Sequence, residues 1–282
     1  MEKKYELKKT NPIGRVVAFV LAVIWLLVAV VPFFFMVLNS FKEKFEMLMN
    51  GIFQLPESLY LDNYKEVLAG NFFRYLVNSL IVLAISLCIL LFVSACAAYP
   101  LSRFKFKLNA PIYGLIVACM CIPMHVTLIP IFKMTQNLGL YDTIWSLIGP
   151  YVAGGLPISV FILTAFMKGV PKEIEESASI DGCSRYRMFF NMILPLSTPG
   201  LSTLAIYNGV TMWNEFSFAY TLTQSTTART LPLAVWDFQG QYSMNTPMIM
   251  ATLTLTVLPM IILYVVLQDK LVEGMTAGAV KG

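Results

Sequence analysis

The sequence predicts an all-α integral membrane protein with six transmembrane helices. Of its 282 residues, 57% are hydrophobic and 13% are charged. Soluble domains carry roughly 25% charged residues, so this composition is typical of a membrane protein. Six stretches without Asp, Glu, Lys or Arg each exceed the roughly 20 residues that a membrane helix needs. Because the bilayer interior cannot hydrogen-bond an exposed backbone, helices are favoured for all six.

The predicted organisation is an N-terminal tail, a first helix, an extracytoplasmic loop with a surface helix, a five-helix domain and a C-terminal tail. These segments are 1–15, 16–38, 39–70, 71–268 and 269–282. The six helices are placed at 16–38, 76–99, 110–132, 144–167, 192–214 and 247–267. The first is retained as a helix because its apolar run is too long for a secretory signal and no cleavage site follows.

The positions of Lys and Arg indicate the orientation. Fourteen of the 20 lie on the two termini and on the loops of the same side, whereas the acidic residues divide eight and eight between the sides. An excess of cations marks the cytoplasmic side of a membrane protein. Both termini and the loop at 168–191 are therefore predicted to be cytoplasmic.

The predicted helices contain no Asp, Glu, Lys or Arg. Carriers that use an ion gradient generally need ionisable groups inside the membrane. Only His125, between Pro123 and Pro130, could titrate there, and a packing or capping role is favoured for it. The five cysteines form no paired pattern and predict packed free thiols. An ion-coupled carrier is therefore disfavoured, and if the chain takes part in transport its energy is expected to come from outside the membrane.

Neutral polar side chains within the helices allow two interpretations. They can bond neighbouring helices together, or they can line a path for a hydroxyl-rich solute. The most suggestive group lies in the stretch "YNGVTMWNEF", where an aromatic ring precedes amides and a hydroxyl. The candidate path residues are Tyr207, Asn208, Thr211 and Asn214, of which the last three are expected on one helix face. Aromatic rings stack on sugars, so a saccharide path is one of the two interpretations.

The segment "EESASIDGCSRYRMFFNMILPLSTPG", residues 175–200, is a polar loop between two apolar runs. Pro171 suits the first turn of a helix, and the acidic residues after it are favoured at a helix N-terminus. Asp181 and Gly182 are expected to end this helix, since glycine takes the left-handed cap conformation. Spacing alone leaves open whether the helix contacts another protein or is a solvated loop.

The strings Glu176-Ser177-Ala178, Asp181-Gly182 and "ILPL" with Pro199 resemble the "EAA…G…I-LP" loop of ATP-binding-cassette (ABC) importer permeases. Further stretches resemble the carbohydrate-uptake branch, the second permease subunit of maltose-type importers: "NYKEVL", "AYPLSRFKFK", "NLGLYDTIWSLI", "MWNEFSFA" and "GMTAGAVKG". The resemblance covers most of the chain. It implies the type I ABC importer transmembrane-domain fold in the cell membrane of a prokaryote.

This resemblance also implies sites and partners. A coupling helix would seat in a groove of a cytoplasmic ATPase, through Glu175, Glu176, Ser177, Ala178, Asp181, Gly182 and Arg185. Two copies of the ATPase, a second homologous permease and an extracytoplasmic solute-binding protein are implied, with the C-terminal tail reaching toward the ATPase. The candidate docking loop for the binding protein holds Arg229, Trp236, Asp237 and Gln239, with a solvated loop as the alternative.

The chain lacks the phosphate-binding loop of an ATPase. That loop needs a glycine followed by lysine, and none of the 16 glycines is followed by one. The chain is therefore interpreted as a transport subunit and not an enzyme, with ATP and Mg on a partner chain and no metal site or nucleic-acid partner of its own. The favoured function is a sugar or oligosaccharide importer permease. The alternatives are an ABC permease for a non-sugar solute, an ion-coupled carrier and a structural scaffold.

Overall fold

The computed structural model of the chain describes residues 12–239 and 245–279, which form helices joined by loops. The α-helices are α1 (Pro12–Asn39), α2 (Lys44–Asn50), α3 (Asp62–Ala69), α4 (Phe72–Arg103), α5 (Asn109–Ala118), α6 (Leu128–Asn137), α7 (Trp145–Gly169), α8 (Lys172–Ile180), α9 (Arg185–Met188), α10 (Leu194–Leu196), α11 (Thr198–Trp213), α12 (Ser217–Leu222) and α13 (Thr246–Ala279). Residue contacts divide the chain into two units, Met1–Val67 with Phe238–Leu255 and Leu68–Asp237 with Thr256–Gly282.

Helix α1, in the first unit, is apolar on every side. Its most apolar window has a mean hydropathy of 3.0, and none of that window is buried inside the chain. A helix that is hydrophobic all round is stable when lipid or another protein surrounds it. The exposed apolar surface of α1 is therefore the surface of a membrane helix.

A cluster of buried polar side chains follows α1. The Lys42 ammonium donates to the carbonyls of Gly51 and Ile52, at 3.1 and 3.4 Å. Asn63 on α3 donates to the carbonyls of Ser40 and Lys42, at 2.9 and 2.8 Å. Because these bonds satisfy buried backbone carbonyls, the segment after α1 is held against α3. Helix α3 lies in the stretch where a surface helix is predicted.

Four helices of the described residues are long and apolar enough to cross a membrane, and two bent pairs raise the number to six if each pair is one span. The third predicted span, 110–132, contains a sharp bend. A bend of 91° separates Asn109–Cys121 from Met124–Asn137. Pro123 lies at the break, where it removes a backbone donor and disfavours a continuous helix. His125 is exposed on the turn after the break.

The fifth predicted span, 192–214, is bent by 68° between Arg185–Leu196 and Thr198–Trp213. The stretch of α13 that is apolar enough to cross a membrane is Thr246–Val265, close to the predicted span 247–267. The helix itself continues to Ala279, so most of the predicted C-terminal tail, 269–282, is helical. Residues 280–282 lie outside the described residues, as do 1–11 of the predicted N-terminal tail.

Helices α4, α7 and α11 pack together to form the centre of the second unit. One hydrophobic cluster joins them near the start of α4, and another joins them near its end. Gly155 of α7 permits the closest approach. A Cβ added there would lie 2.6 Å from the side-chain oxygen of Asn208 and 2.7 Å from Leu90. Small residues at helix contacts let membrane helices pack closely, and a side chain at residue 155 would displace the Asn208 and Leu90 side chains.

Candidate functional site

Helix α8 ends in a backbone motif that only glycine suits. The N–H of Gly182 donates to Ser179 O at 3.1 Å, and the N–H of Cys183 donates to Ala178 O at 2.9 Å. These two bonds form a Schellman motif. Gly182 has a φ of 76°, and a Cβ there would meet nothing within 4 Å. Glycine is therefore needed for its conformation and not for space, as the sequence predicts for this position.

Most of the α8 surface is open. Ala178 is the helix residue that is buried, at 2% exposure. The exposed members of the predicted coupling set are Glu176, Ser177, Asp181, Gly182 and Arg185. The hydroxyl of Ser177 donates to the carbonyl of Glu173 within the helix. The structure thus keeps most of the predicted coupling residues together on one short, solvent-accessible segment.

Two large apolar side chains beside α8 are exposed. Ile180 is 86% exposed and Tyr186 is 82% exposed. Neither residue belongs to the coupling set predicted from the sequence, whereas Phe189 and Ile193, further along the chain, are buried. The signal was available, since apolar residues flanking a polar helix cap are typical of a protein contact. These two residues therefore join the candidate coupling surface.

Glu175, by contrast, points inward. Its Oε1 lies 2.5 Å from Nε of Arg103, the last residue of α4. Neither atom forms a directed hydrogen bond, so charge attraction holds this contact. The guanidinium also donates through Nη2 to the carbonyl of Val170, just after α7, at 2.9 Å. The Arg103 side chain is 3% exposed and that of Glu175 is 18% exposed. Glu175 is therefore part of the attachment of α8 and not of its free surface.

The other arm of the 168–191 loop reaches the same end of α4 through aromatic contacts. The Arg185 guanidinium lies 4.9 Å from the centre of the Phe104 ring. That ring packs edge-on against Tyr99 at 5.4 Å, and Tyr99 packs against Phe189 at 5.0 Å. A cation over an aromatic face is attracted by the negative charge of that face. Both arms of the loop are thus fixed to the end of α4.

The structure separates the four predicted path residues. Asn208 is 2% exposed, and its side-chain amide donates to Ser159 Oγ at 3.1 Å and to Leu204 O at 3.0 Å. Tyr207, Thr211 and Asn214 are exposed on the other side of α11. Asn208 therefore bonds helices together, whereas the remaining three residues stay available to line a path.

A cavity of about 430 Å³ lies at the break between α5 and α6. Its lining is mostly apolar and includes Met124, Pro150 and Gly154, with Tyr207 and Thr127 as polar members. A Cβ on Gly154 would lie 2.8 Å from the Met124 methyl. The absence of a side chain at residue 154 therefore leaves room for Met124 in the cavity wall. The cavity places one predicted path residue, Tyr207, beside the bend.

Glu215 caps helix α12. Its carboxylate accepts the backbone N–H groups of Phe218 and Ala219, at 2.9 and 3.1 Å, and the hydroxyl of Tyr151 at 2.9 Å. A carboxylate is favoured at the N-terminus of a helix, where backbone donors have no partner. Sequence reasoning quoted the "MWNEF" stretch but assigned Glu215 no role. It ties the end of α11 to α7.

Three of the four predicted docking residues, Arg229, Trp236 and Asp237, lie at the opposite end of α4. Arg229 and Asp237 form an ion pair with Nη1 and Oδ1 3.1 Å apart. The Tyr75 hydroxyl donates to both Asp237 oxygens, at 3.1 and 2.9 Å. The Trp236 ring stacks on Tyr220 at 5.2 Å, and Gln239 is exposed. Arg229, Trp236 and Asp237 thus have partners inside the chain, which leaves Gln239 as the freest of the four.

Two side chains of α4 and one from the loop between α6 and α7 fix the backbone of the 224–237 segment. Asn78 donates to the carbonyls of Thr227 and Arg229, at 2.9 and 2.8 Å. Ser79 Oγ accepts the N–H of Leu231 at 2.8 Å. Asp142 Oδ1 accepts the N–H groups of Gln224 and Ser225, at 2.7 and 2.8 Å, and the Ser225 hydroxyl at 3.1 Å. The segment is therefore attached at several points along its length.

The bonds to Asp142 change its acidity. Burial raises the pKa of this carboxyl, but the backbone N–H groups of Ser225 and Gln224 favour the charged form more strongly, and the pKa is lowered below 3.8. Asp142 is therefore an anion at neutral pH. Among the described residues, no group of His, Cys, Asp and Glu side chains could hold a metal ion.

Comparison with known proteins decides the family. The model of the binding-protein-dependent transport system inner membrane component family matches residues 90–277. The chain belongs to this family. The resemblance noted in the sequence, to permeases of ABC importers, is confirmed, and so is the prediction of an inner-membrane protein.

Relatives of this permease support the same assignment. It is 53% identical over 264 residues to the putative ABC transporter permease protein ORF2 of Caldicellulosiruptor sp. (strain Rt8B.4), covering 94% of this chain and 96% of that protein. It is 37% identical over 265 residues to the probable starch degradation products transport system permease protein AmyC of Thermoanaerobacterium thermosulfurigenes, covering 93% and 94%. These alignments span nearly the full permease in each case.

A solved structure shares the fold. The crystal structure of a bacterial ABC transporter involved in the import of the acidic polysaccharide alginate aligns with a TM-score of 0.80 and 20% identity, covering 94% of this permease and 99% of that chain. An identity this low supports the fold alone. The predicted type I importer fold is confirmed.

Proposed function

We propose that this permease is the transmembrane subunit of an ATP-driven importer of sugars or oligosaccharides. It forms the translocation path together with a second homologous permease, and a solute-binding protein delivers the substrate. The observation that carries this proposal is α8, a short exposed helix fixed to the bundle at both of its ends. A transport protein whose predicted spans lack Asp, Glu, Lys and Arg needs such a contact to receive energy from another protein.

In this proposal a separate ATPase on the cytoplasmic side supplies the energy for transport. The absence of any glycine–lysine pair in the sequence supports this, because a phosphate-binding loop requires one. ATP and Mg would bind that partner, present in two copies. Ile180 and Tyr186 would insert into its groove, since exposed apolar side chains surrounded by polar ones are typical anchors of an interface. Glu176 and Asp181 would lie at the polar rim.

The sugar substrate is supported by two observations. A relative that is 37% identical carries the name of a permease for starch degradation products. The exposed side of α11 offers an aromatic ring, a hydroxyl and an amide, at Tyr207, Thr211 and Asn214. Such neutral groups suit hydroxyl-rich solutes, because they stack and hydrogen-bond without requiring a charge. These three residues are the proposed path lining, and Gln239 is the proposed docking contact.

Omission of single subunits tests the proposal. The permease is purified with its partner permease and ATPase, placed in proteoliposomes, and supplied with binding protein and a radiolabelled oligosaccharide. Uptake is expected only when every component and ATP are present. Uptake by proteoliposomes that lack the ATPase would contradict the proposal. A second preparation with Ile180→Asp is expected to bind the ATPase at least about tenfold more weakly, because truncating or charging an interface anchor commonly costs this much.

A further inference from the structure

Helix α8 has little apolar surface against the rest of the chain. Ala178 is buried, while Ile174 and Glu175 are half-buried and the other helix residues are exposed. A short helix depends on packing for most of its stability. The small apolar area that α8 buries does not fix the orientation of the helix. Specific contacts must therefore set how α8 is held.

The Arg103 guanidinium is the contact that joins α8 to two long helices. It belongs to the last residue of α4, pairs with Glu175 of α8 and donates to the carbonyl of Val170 at the end of α7. Its side chain is almost fully buried. One side chain thus contacts two partners at once, Glu175 through charge attraction and Val170 through a hydrogen bond. Movement of α8 is thereby linked to movement of α4.

The opposite end of α4 holds the 224–237 segment. Tyr75, Asn78 and Ser79 all lie within the first two turns of α4 and bond to that segment. The helix has 32 residues, which corresponds to about 48 Å and exceeds the roughly 30 Å of the bilayer core. It stays helical past Pro100, whose carbonyl accepts the N–H of Phe104 at 3.0 Å. One continuous element thus connects the α8 contact with the segment that precedes the proposed docking residue Gln239.

We propose that Arg103 is a positioning residue that makes α4 the transmembrane link between the ATPase contact and the 224–237 segment. The inference rests on the proposed function. Through the Arg103–Glu175 pair, displacement of α8 by the ATPase shifts α4, and α4 shifts the segment bonded to its first turns. The same contacts carry movement in the reverse direction, from the 224–237 segment through α4 to α8. Binding protein docked near this segment then stimulates ATP hydrolysis through the same helix.

The test measures sugar taken up per ATP hydrolysed and the stimulation of hydrolysis by loaded binding protein. Four permease variants are compared in the reconstituted complex: Arg103→Gln, Glu175→Gln, the double variant and Arg103→Lys. Each single Gln variant is expected to lower both quantities at least about fivefold, the lower range for coupling between sites. Arg103→Lys keeps the ion pair and should retain most of the coupling.

The double variant separates positioning from simple stability. Removing both charges relieves the cost of one unpaired buried charge, so the melting temperature should recover. The uptake per ATP should nevertheless stay low, because the contact between Arg103 and Glu175 is still missing. If the double variant regains the wild-type ratio, or if Glu175→Gln never loses it, Arg103 is a structural residue and the inference is overturned.

The control variant is Lys107→Gln, which removes an exposed cation four residues after Arg103. Its uptake per ATP should equal that of the wild type. If Arg103→Gln does not assemble with its partners, Glu175→Gln decides the question, since it leaves the Arg103–Val170 bond in place. Failure of the proposed function would be distinct, because the wild-type complex itself would then take up no sugar.

Discussion

The two ends of α4 hold their neighbouring segments in different ways. At the end of α4, helix α8 is attached through one buried ion pair and a cluster of rings, and most of its own surface is free. At the start of α4, the 224–237 segment is bonded to Tyr75, Asn78 and Ser79 and to Asp142. The first arrangement holds an exposed helix through a few defined contacts. The second fixes the backbone of the 224–237 segment.

This difference indicates how one chain serves two kinds of contact. A surface that receives force from another protein must be open to that protein and must pass its movement on through few, directed contacts. A loop that only needs a fixed shape is stabilised by many bonds, each of modest strength. The predictions below perturb one end while the other serves as its reference.

The largest effect is expected at Gly182. A Gly182→Val change forces a β-branched residue into the left-handed region, which costs about 1–3 kcal/mol, and the Schellman motif that ends α8 is lost. Because α8 then presents a different surface to the ATPase, uptake per ATP should fall about tenfold or more. The measurement is uptake and hydrolysis in the same proteoliposomes.

Gly139, which follows α6, provides a matched control. It has a φ of 67°, and it closes the same motif after α6, through the bonds Gly139 N–H to Gln136 O and Leu140 N–H to Thr135 O. Gly139→Val should destabilise the permease by a similar amount and leave uptake per ATP unchanged. Equal uncoupling by both variants would show that backbone strain alone, and not the α8 surface, is responsible.

A smaller effect is expected at Asp142. Asn tolerates the φ of 58° at this position, so Asp142→Asn removes the charge without new strain. Hydrogen bonds to a charged group contribute about 1.5 kcal/mol, and their weakening should speed hydrogen exchange at Gln224 and Ser225 roughly tenfold. Exchange in the 168–191 loop should not change. Faster exchange in both regions would show that the change loosens the whole bundle and not the Asp142 contacts alone.

The same carboxyl predicts a pH dependence. The pKa of Asp142 is lowered from 3.8 by the bonds it accepts, so its stabilising effect is fully present above pH 3.8 and is lost as the pH falls through the lower folded value. Exchange protection of the Ser225 amide should therefore decline only below about pH 3.8. Asp142→Asn should show no such decline, and protection lost already near pH 6 would assign it to another group.

Glu215 should give an effect of intermediate size on α12 alone. Glu215→Gln keeps an acceptor but removes the charge that faces two backbone N–H groups, so about 0.5–1 kcal/mol should be lost locally. Tyr151→Phe removes one bond to the same carboxylate and serves as its partner in a double-mutant cycle. Additive effects of the two changes on thermal stability would show that the Tyr151–Glu215 bond contributes nothing.

The smallest effect is expected at Lys65. Its ammonium pairs with Asp62 at 2.7 Å, and the hydrogen bond and charge of that carboxylate raise the pKa of Lys65. Both side chains are largely exposed, and exposed ion pairs contribute little because water and salt screen them. Lys65→Gln should leave the melting temperature and uptake unchanged. A clear loss of either would show that the pair has a role beyond its visible contact.

The sequence predicted those features that depend on local pattern. Apolar runs located the membrane helices, and the position of Gly182 located the end of α8. The size of the bend at Pro123 did not follow from composition, which is apolar on both sides of it. The continuation of α13 beyond its apolar run did not follow either, because the predicted span ends where the charged residues begin.

The site was predicted in part. Residues exposed on α8 followed from the motif, but the inward direction of Glu175 did not, because its partner Arg103 lies more than seventy positions earlier in the chain. Asn208 was grouped with the path, although its amide bonds to Ser159 of another helix. Contacts between distant segments decide these roles, and spacing along one segment does not contain them.

The most direct test of the account is uptake with ATP as the only source of energy. Proteoliposomes that hold the complete complex are loaded with ATP and Mg, treated with ionophores that collapse proton and sodium gradients, and given labelled oligosaccharide with its binding protein. The account predicts that uptake continues at its full rate and stops when ATP is withheld. Uptake that ceases with the gradients, or that proceeds without ATP, would contradict it.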